Sequence, residues 1–337
     1  MESSASTFTR PDRGAELELT VDALAYGGNG VARLDNPFGS QGGYVVFVSG
    51  AIPGDRVRAV VTKRKRAYAE ARTLEVLEPS PDRIAPLADH PGAPWQVLPY
   101  ERQLAVKQDQ VADALARIGR LDGFALDEIV PAAEQWRYRN KLEYSFGTGA
   151  DGAVVCGFHA PGSWHEIVAV NDCLLASERS NVAREQVLAW CRSQGLPAFD
   201  RRSHTGMLRN LVVREGRRTG DLQVRLVTGP GDIDTASLAG AVDCEGLMWT
   251  RTDALAETTL DGDTALITGA PVLEEELCGL QFAISPLAFF QTNTEMAERL
   301  YAIAAEMAGL DGGGRVFDLY CGIGTLGLTL AASAGEV

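Results

Sequence analysis

What this chain lacks narrows it first. No apolar run approaches the roughly 20 residues that a membrane-spanning helix needs. Residues 1–15 carry neither the apolar core nor the cleavage pattern of a secretion signal, so a disordered, Ser- and Thr-rich tail is expected and the cytoplasm is the default compartment. Histidine is scarce: His90, His159, His165 and His204 are the only four, with no i,i+4 pairing of the kind a metal-binding helix shows. The six cysteines (Cys156, Cys173, Cys191, Cys244, Cys278 and Cys321) include no Cys-x-x-Cys pair. That argues against a zinc or disulfide framework and for small buried hydrophobes, and no metal site is expected. Positive charge is in deficit too, with 31 Lys and Arg against 45 Asp and Glu and a net charge of −14. Such a surface does not bind nucleic acid indiscriminately.

What is present is unevenly placed. Arg56, Arg58, Lys63, Arg64, Lys65, Arg66 and Arg72 form one basic island, opposed only by Glu70. Arg201, Arg202, Arg209, Arg214, Arg217, Arg218 and Arg225 form a second, set against Glu215 and Asp221. Two such islands on an acidic protein could steer a polyanion to one face, or each could be a solvated face with no partner. The length of 337 residues, 45% hydrophobic and 23% charged, suits a globular protein of about two or three domains.

Along the chain, residues 16–78 alternate as β structure. Leu17, Leu19 and Val21 lead into a turn at Gly27, Gly28 and Gly30, and Tyr44–Val48, Val57–Val61 and Thr73–Leu77 follow. About five short strands punctuated by glycine predict a small OB-like barrel, with the Lys63–Arg66 run on or beside the fourth strand. Pro79, Pro81 and Pro86 mark a linker. A helix is predicted over 100–118, with Leu104, Val111, Leu115 and Ile118 on one stripe. The stretch to 281 reads as a central α+β domain with an antiparallel sheet (142–146, 154–158, 167–170, 211–213, 222–227) and a helix at 181–193. A helix over 294–308 follows, with Thr294 as its N-cap and Met296, Leu300, Ile303 and Met307 on its apolar face.

The segment after it carries chemistry. Strand Val316–Leu319, turn Cys321-Gly322-Ile323-Gly324-Thr325 and an apolar helix over 326–332 form the first βα unit of a doubly wound sheet. Glycines let the backbone approach a ligand closely. The spacing departs from Gly-x-Gly-x-x-Gly, which favours S-adenosylmethionine over a dinucleotide as the ligand. Cys321 sits at a turn before a helix, where thiols are activated, but no base stands near it, so a small spacer is the expectation.

Four segments together (Tyr26–Arg33, Tyr138–Tyr144, Phe289–Asn293 and Asp318–Thr325) resemble, in the same order, the RNA uracil-C5 methyltransferases that make 5-methyluridine in ribosomal and transfer RNA. The resemblance runs from Glu16 to Val337. It implies a TRAM barrel at 16–78, a linker, helix and central α+β domain at 79–281, and the start of a class I methyltransferase domain at 282–337. It implies S-adenosylmethionine as cofactor, held by Gln291, Tyr320, Gly322, Gly324 and Thr325, with Asp318 shaping the turn. RNA would be met by Lys63, Arg64, Lys65, Arg66, Arg139 and Lys141, and the protein would act as a monomer without membrane attachment.

Such enzymes add a cysteine thiolate to uracil C6 and remove the C5 proton with a general base. In the family both groups follow the glycine motif, so the catalytic cysteine and base are expected beyond Val337, the methyltransferase domain is expected to be incomplete, and the chain as given is expected to be inactive. Residues from about Arg315 should then be poorly packed. Many relatives carry a [4Fe–4S] cluster on cysteines after the barrel. Here the matching stretch, Ala88–Gln96, has no cysteine and only Cys173 survives, so no iron–sulfur cluster is expected. A non-catalytic RNA-binding protein and a methyltransferase acting on another substrate are the alternatives.

Overall fold

The computed structural model describes residues 9–34 and 43–337. The chain divides into two compact units, Met1–Leu87 with Ala93–Pro131, and Ala88–Gly92 with Ala132–Val337. The first unit extends past 78/79 to Pro131, and the second runs across 281/282.

In the first unit, β1 (Glu16–Thr20), β2 (Ala23–Leu24), β3 (Gly30–Leu34), β4 (Tyr44–Ser49), β5 (Arg56–Arg64) and β6 (Tyr68–Glu78) form one sheet in the order β1-β5-β6-β4-β3-β2. Period-two alternation builds its core: Tyr44, Val46 and Val48 face in from β4, and Val57, Ala59 and Val61 from β5. β6 runs parallel to β4 and antiparallel to β5, where register shifts let the long strand bend. Of the expected tail, residues 1–8 lie outside the described residues. Residues 14 and 15 do not belong to a tail, because the Gly14 N–H donates to the Val61 carbonyl and the Val61 N–H to that of Ala15.

α1 (Tyr100–Asp113), continued by a π-helical turn over Ala114–Ile118, belongs to this unit and not to the central domain. Its expected stripe is not a core face, since Val111 is 48% exposed and Ile118 83%. The helix is held instead by Val106 packed against Leu24, Ile52 and Leu98, and by the Gln110 amide donating to the Leu24 carbonyl.

The second unit is built on a seven-stranded sheet: β7 (Lys141–Thr148), β8 (Val154–His159), β9 (Ile167–Ala169), β10 (Leu208–Glu215), β11 (Leu222–Thr228), β12 (Gly246–Arg251) and β13 (Asp263–Gly269), in the order β13-β12-β11-β10-β7-β8-β9. All neighbours are antiparallel except β11 and β12. One face is apolar (Leu142, Tyr144, Phe146, Leu211, Val213, Val224, Leu226) and packs on α2 (Glu178–Ser193) and α3 (Thr235–Ala241). The alternate positions are polar, with Glu143, Ser145, Asn210, Arg214, Gln223 and Arg225 on the other face.

A hairpin of β14 (Leu273–Leu277) and β15 (Leu280–Ile284) crosses the expected boundary at 281, because its register pairs Glu276 with Gln281 and Leu277 with Leu280. Its inner residues share one core with Phe290, Ala297 and Tyr301, and Ile323 and Leu326 pack against that core. α4 (Thr294–Ala308) is capped by Asn293, whose side chain accepts from the Met296 N–H, and not by Thr294. The buried face of α4 is Thr294, Ala297 and Tyr301, while Leu300 is 55% and Met307 77% exposed. α5 spans Thr325–Ala331. The expected strand at 316–319 is no more than one parallel bridge between Arg315 and Glu336, and Phe317, Leu319 and Tyr320 are exposed.

Candidate functional site

Asn140 organises the segment that precedes α4. Its buried amide donates to the Gln291 carbonyl at 2.7 Å and to Thr294 Oγ1 at 2.9 Å, and its backbone N–H donates to the Thr292 carbonyl at 2.9 Å. Thr294 Oγ1 in turn donates to Glu275 Oε2 at 3.1 Å. Glu275, 1% exposed, also accepts the backbone N–H groups of Arg217, Arg218 and Glu276. A buried carboxylate is tolerable only when so satisfied. Gln291 is thus held through its backbone, and its side chain makes no hydrogen bond among the described residues.

A groove of about 400 Å³ lies against this segment, lined by Arg139, Lys141, Glu143, Arg214, Phe289 and Thr292 among others. Phe289 is 69% exposed beside it. Arg214 spans from β10 to the Ser285 and Ala288 carbonyls, fixing the loop between β15 and Phe289. Burial, then the nearby charge of Arg225, pulls its value down to about 10, so it stays cationic at neutral pH. Lys141 pairs with Glu143 at 2.5 Å, and Arg139 Nε is buried without a hydrogen-bond partner among the described residues.

The glycine turn is the second feature. Tyr320, Gly322 and Gly324 adopt φ of 67°, 60° and 81°. This is the left-handed region that glycine enters freely, and Tyr320 enters it at a steric cost. A Cβ on Gly322 would meet nothing within 4 Å, so the turn opens on free space. Asp318 Oδ2 accepts the Gly327 N–H at 2.9 Å and closes the turn onto α5. The Tyr301 and Thr325 hydroxyls meet at 2.8 Å, tying α4 to the first residue of α5. Gln291, Gly322, Gly324 and Thr325 therefore belong to elements of one packed body, with the Tyr320 ring left outside in solvent.

The basic islands do not survive as drawn. Lys63 pairs with Glu70 and Arg64 with Asp12, and Arg56 and Arg58 each bridge two glutamates. Lys65 and Arg66, in the turn after β5, have no ion pair among the described residues. In the second island Arg209, Arg214 and Arg225 are buried, and Arg201, Arg217 and Arg218 are paired with acids.

Ser145, His159 and Glu257 converge without forming a nucleophilic relay. His159 Nε2 faces both Glu257 Oε2 (2.8 Å) and Ser145 Oγ (3.4 Å), so no second ring nitrogen carries a proton between them. Glu257 also takes Arg201, Ser145 and Asn210. Burial alone would raise its value, but these hydrogen bonds outweigh it and hold the carboxyl down at about 2.

The cysteines are mostly shielded. Burial pushes the thiols of Cys156 and Cys278 up, Cys191 up to about 12 and Cys244 up to about 11. Cys173 is buried against His90, with Sγ 3.2 Å from Nε2. Cys321 is exposed, and among the described residues its Sγ meets only the adjacent Gly322 carbonyl. Among the described residues no group of three or more His, Cys, Asp or Glu side chains could hold a metal ion, and no helix is long and apolar enough to cross a membrane.

The sequence placed Asn140 in a quoted segment without giving that residue a role and Arg214 only in a basic island, and it gave no sign of Glu275 or Tyr301. An acidic run at Glu274–Glu276 looks solvated until the hairpin buries its middle member.

Residues 11–74 match the TRAM domain family. Over 96% of its length the chain is 36% identical to an uncharacterized RNA methyltransferase of Thermosynechococcus vestitus, of which it covers 72%. It is 33% identical to one of Halalkalibacterium halodurans, with 95% of this chain and 70% of that protein covered. Its fold is similar to that of the Pyrococcus abyssi tRNA (uracil-54, C5)-methyltransferase, solved in complex with S-adenosyl-L-homocysteine. The TM-score is 0.74 at 24% identity, covering 93% of this chain and 70% of that one.

Proposed function

This chain belongs to the RNA methyltransferase family, and from that premise we propose that its target is C5 of a uridine and its methyl donor S-adenosylmethionine. The observation that carries the proposal is the joint held by Asn140, which presents Gln291 with its side-chain amide unspent in the body that also carries the open Gly322–Gly324 turn. The similar fold of a tRNA uracil-C5 methyltransferase bound to S-adenosyl-L-homocysteine supports it.

The residues present fit the cofactor. Positive φ at Gly322 with nothing within 4 Å of its Cβ position leaves room against the backbone that a side chain would fill. Gln291, Tyr320, Gly322, Gly324 and Thr325 would hold the group, which supplies an electrophilic methyl sulfonium when bound. The chain's own part is to seat the uridine. Phe289 offers a ring face for stacking and Arg139 a cationic donor to a phosphate or uracil oxygen, while Lys141 must first leave Glu143 to do the same. Lys65 and Arg66 add unspent charge on the TRAM unit.

Uracil C5 becomes nucleophilic once a thiolate bonds to C6. Once C5 carries the methyl group, a base takes the C5 proton as the carbon–sulfur bond breaks and the thiolate leaves. Of the six cysteines, Cys156, Cys173 and Cys191 are buried, Cys244 and Cys278 are half-buried with raised thiols, and Cys321 is exposed with its Sγ against the Gly322 carbonyl.

The test has two arms. Calorimetry should show S-adenosylhomocysteine binding to residues 1–337 and its loss in Gly322→Val. The protein should release tritium from transfer or ribosomal RNA carrying 5-tritiated uridine when the methyl donor is added. Methyl incorporation without tritium release would mean another target atom. Neither cofactor binding nor incorporation would leave an RNA-binding role alone.

A further inference from the structure

A second hollow, of about 600 Å³, opens in the sheet unit. Its lining includes Trp164, Phe199, Arg201, His204, Arg209 and Glu257. The volume falls within the roughly 300–1,000 Å³ of small-molecule sites.

Three observations give it a chemistry. First, its wall is aromatic. Phe199 and His204 lie parallel within 7°, with centroids 6.4 Å apart, and Trp164 stands 60% exposed. Second, it holds an unspent cation. Arg209 is 4% exposed, its guanidinium sits 4.2 Å from the Phe199 ring centroid, and its one hydrogen bond among the described residues is a 3.5 Å contact with the Leu255 carbonyl. A buried guanidinium without an acid is costly unless something answers it. Third, the acid in the hollow acts on it only through space, with no hydrogen bond or ion pair between them among the described residues. Glu257 is committed to Arg201, His159, Ser145 and Asn210. Stacking faces beside an unmatched positive charge are the features that receive a base and its phosphate.

We propose that this hollow seats one unpaired nucleotide of the RNA strand, at a place distinct from the Phe289–Thr292 groove. The inference rests on the RNA reading above and deepens it, giving the enzyme a second grip on a single-stranded substrate. A paired base keeps its ring faces stacked within the duplex, so the seat selects an unpaired nucleotide. None of the stacking groups reads a particular base edge, so the seat tolerates any sequence.

The test measures binding of a labelled short single-stranded RNA to the whole chain by fluorescence anisotropy. Trp164→Ala and His204→Asn are the variants, the latter because Asn tolerates the φ of 56° at that position. Each should weaken binding about tenfold, the worth of one lost stacking face. The melting temperature and the salt dependence should stay those of the parent, because no charge is removed and the ring of Trp164 is already outside the core. A duplex RNA should compete poorly, and adenosine or uridine monophosphate should compete only at concentrations far above that of the strand.

Parent and variants binding the strand equally would overturn the proposal while leaving the RNA reading intact. A parent that binds no RNA would overturn both. Tight binding of a free monophosphate, lost in the variants while strand affinity is unchanged, would make the occupant a free nucleotide and overturn the strand.

Discussion

The side-chain amide of Asn140 donates to the backbone carbonyl of Gln291 at 2.7 Å across 151 positions of sequence. This bond and its partner to Thr294 join the entrance of β7 to the start of α4. Asn140→Ala strands the Gln291 carbonyl and the Thr294–Glu275 pair in a buried setting, and should lower stability by about 1–3 kcal/mol. S-adenosylhomocysteine binding, measured by calorimetry at a temperature where the variant is folded, should weaken as well. Parental cofactor affinity in a destabilised variant would separate this joint from the cofactor site.

Asp55 anchors the first unit. It is fully buried and accepts Arg83 Nη2 at 2.5 Å, Arg83 Nε at 3.0 Å, the Ser80 N–H at 2.8 Å and the Ile52 N–H at 2.9 Å. Burial raises its value, but the Arg83 and backbone donors outweigh that and hold the carboxyl below its ordinary 3.8. A depressed carboxyl stabilises the fold above the unfolded value, and that contribution is lost as pH falls through the folded one. Asp55→Ala should cost about 3 kcal/mol by urea denaturation, because four donor groups on three residues lose a buried acceptor.

His90 should make the second unit sensitive to mild acid. Burial above all lowers its value from the ordinary 6.5, so the unfolded chain takes up the proton more readily than the folded one. The stabilisation is present above about pH 6.5 and declines as pH falls below it toward the folded value. His90→Gln should therefore show a smaller fall in urea midpoint between about pH 7.5 and about pH 5.5 than the parent does. An equal fall in both would remove His90 as the sensor.

Charge on the TRAM unit should sort into two classes. Lys65 and Arg66 carry charge unmatched by ion pairs among the described residues, while Lys63 must first leave Glu70. Replacing Lys65 and Arg66 together by Ala should reduce the slope of log affinity against log salt for single-stranded RNA by about 0.7 per charge. Lys63→Ala should change it less, since it also frees the Glu70 carboxylate. Equal slopes for all three proteins would mean that this turn does not meet the phosphates.

Local pattern carried much of the fold. Alternation in β5 named its buried residues Val57, Ala59 and Val61, whereas the uniformly apolar Tyr44–Val48 left the inward face of β4 to the fold. Helix stripes were less faithful. Leu104, Val111, Leu115 and Ile118 have the spacing of a buried face, yet Val106 and Gln110 make the contacts, because the stripe says where apolar groups lie and not what covers them. The expected boundary near 281 rested on local pattern in the same way. A two-residue turn at Cys278-Gly279 closes a hairpin whose value to the core comes from residues on both sides of the division.

The site shows the same separation. Sequence alone determined which groups were available: the glycine turn, Gln291 and Asn140 are recognisable as segments because their chemistry depends on a few adjacent residues. Tertiary structure decided which of those groups remain free to act. It matched Lys63 and Arg64 with acids, sank Arg209 and Arg214 into the sheet unit, and left Arg209 unanswered over the Phe199 ring. Charge and hydrogen-bonding capacity are properties of a residue, but whether they are already spent depends on neighbours that the chain brings together only on folding.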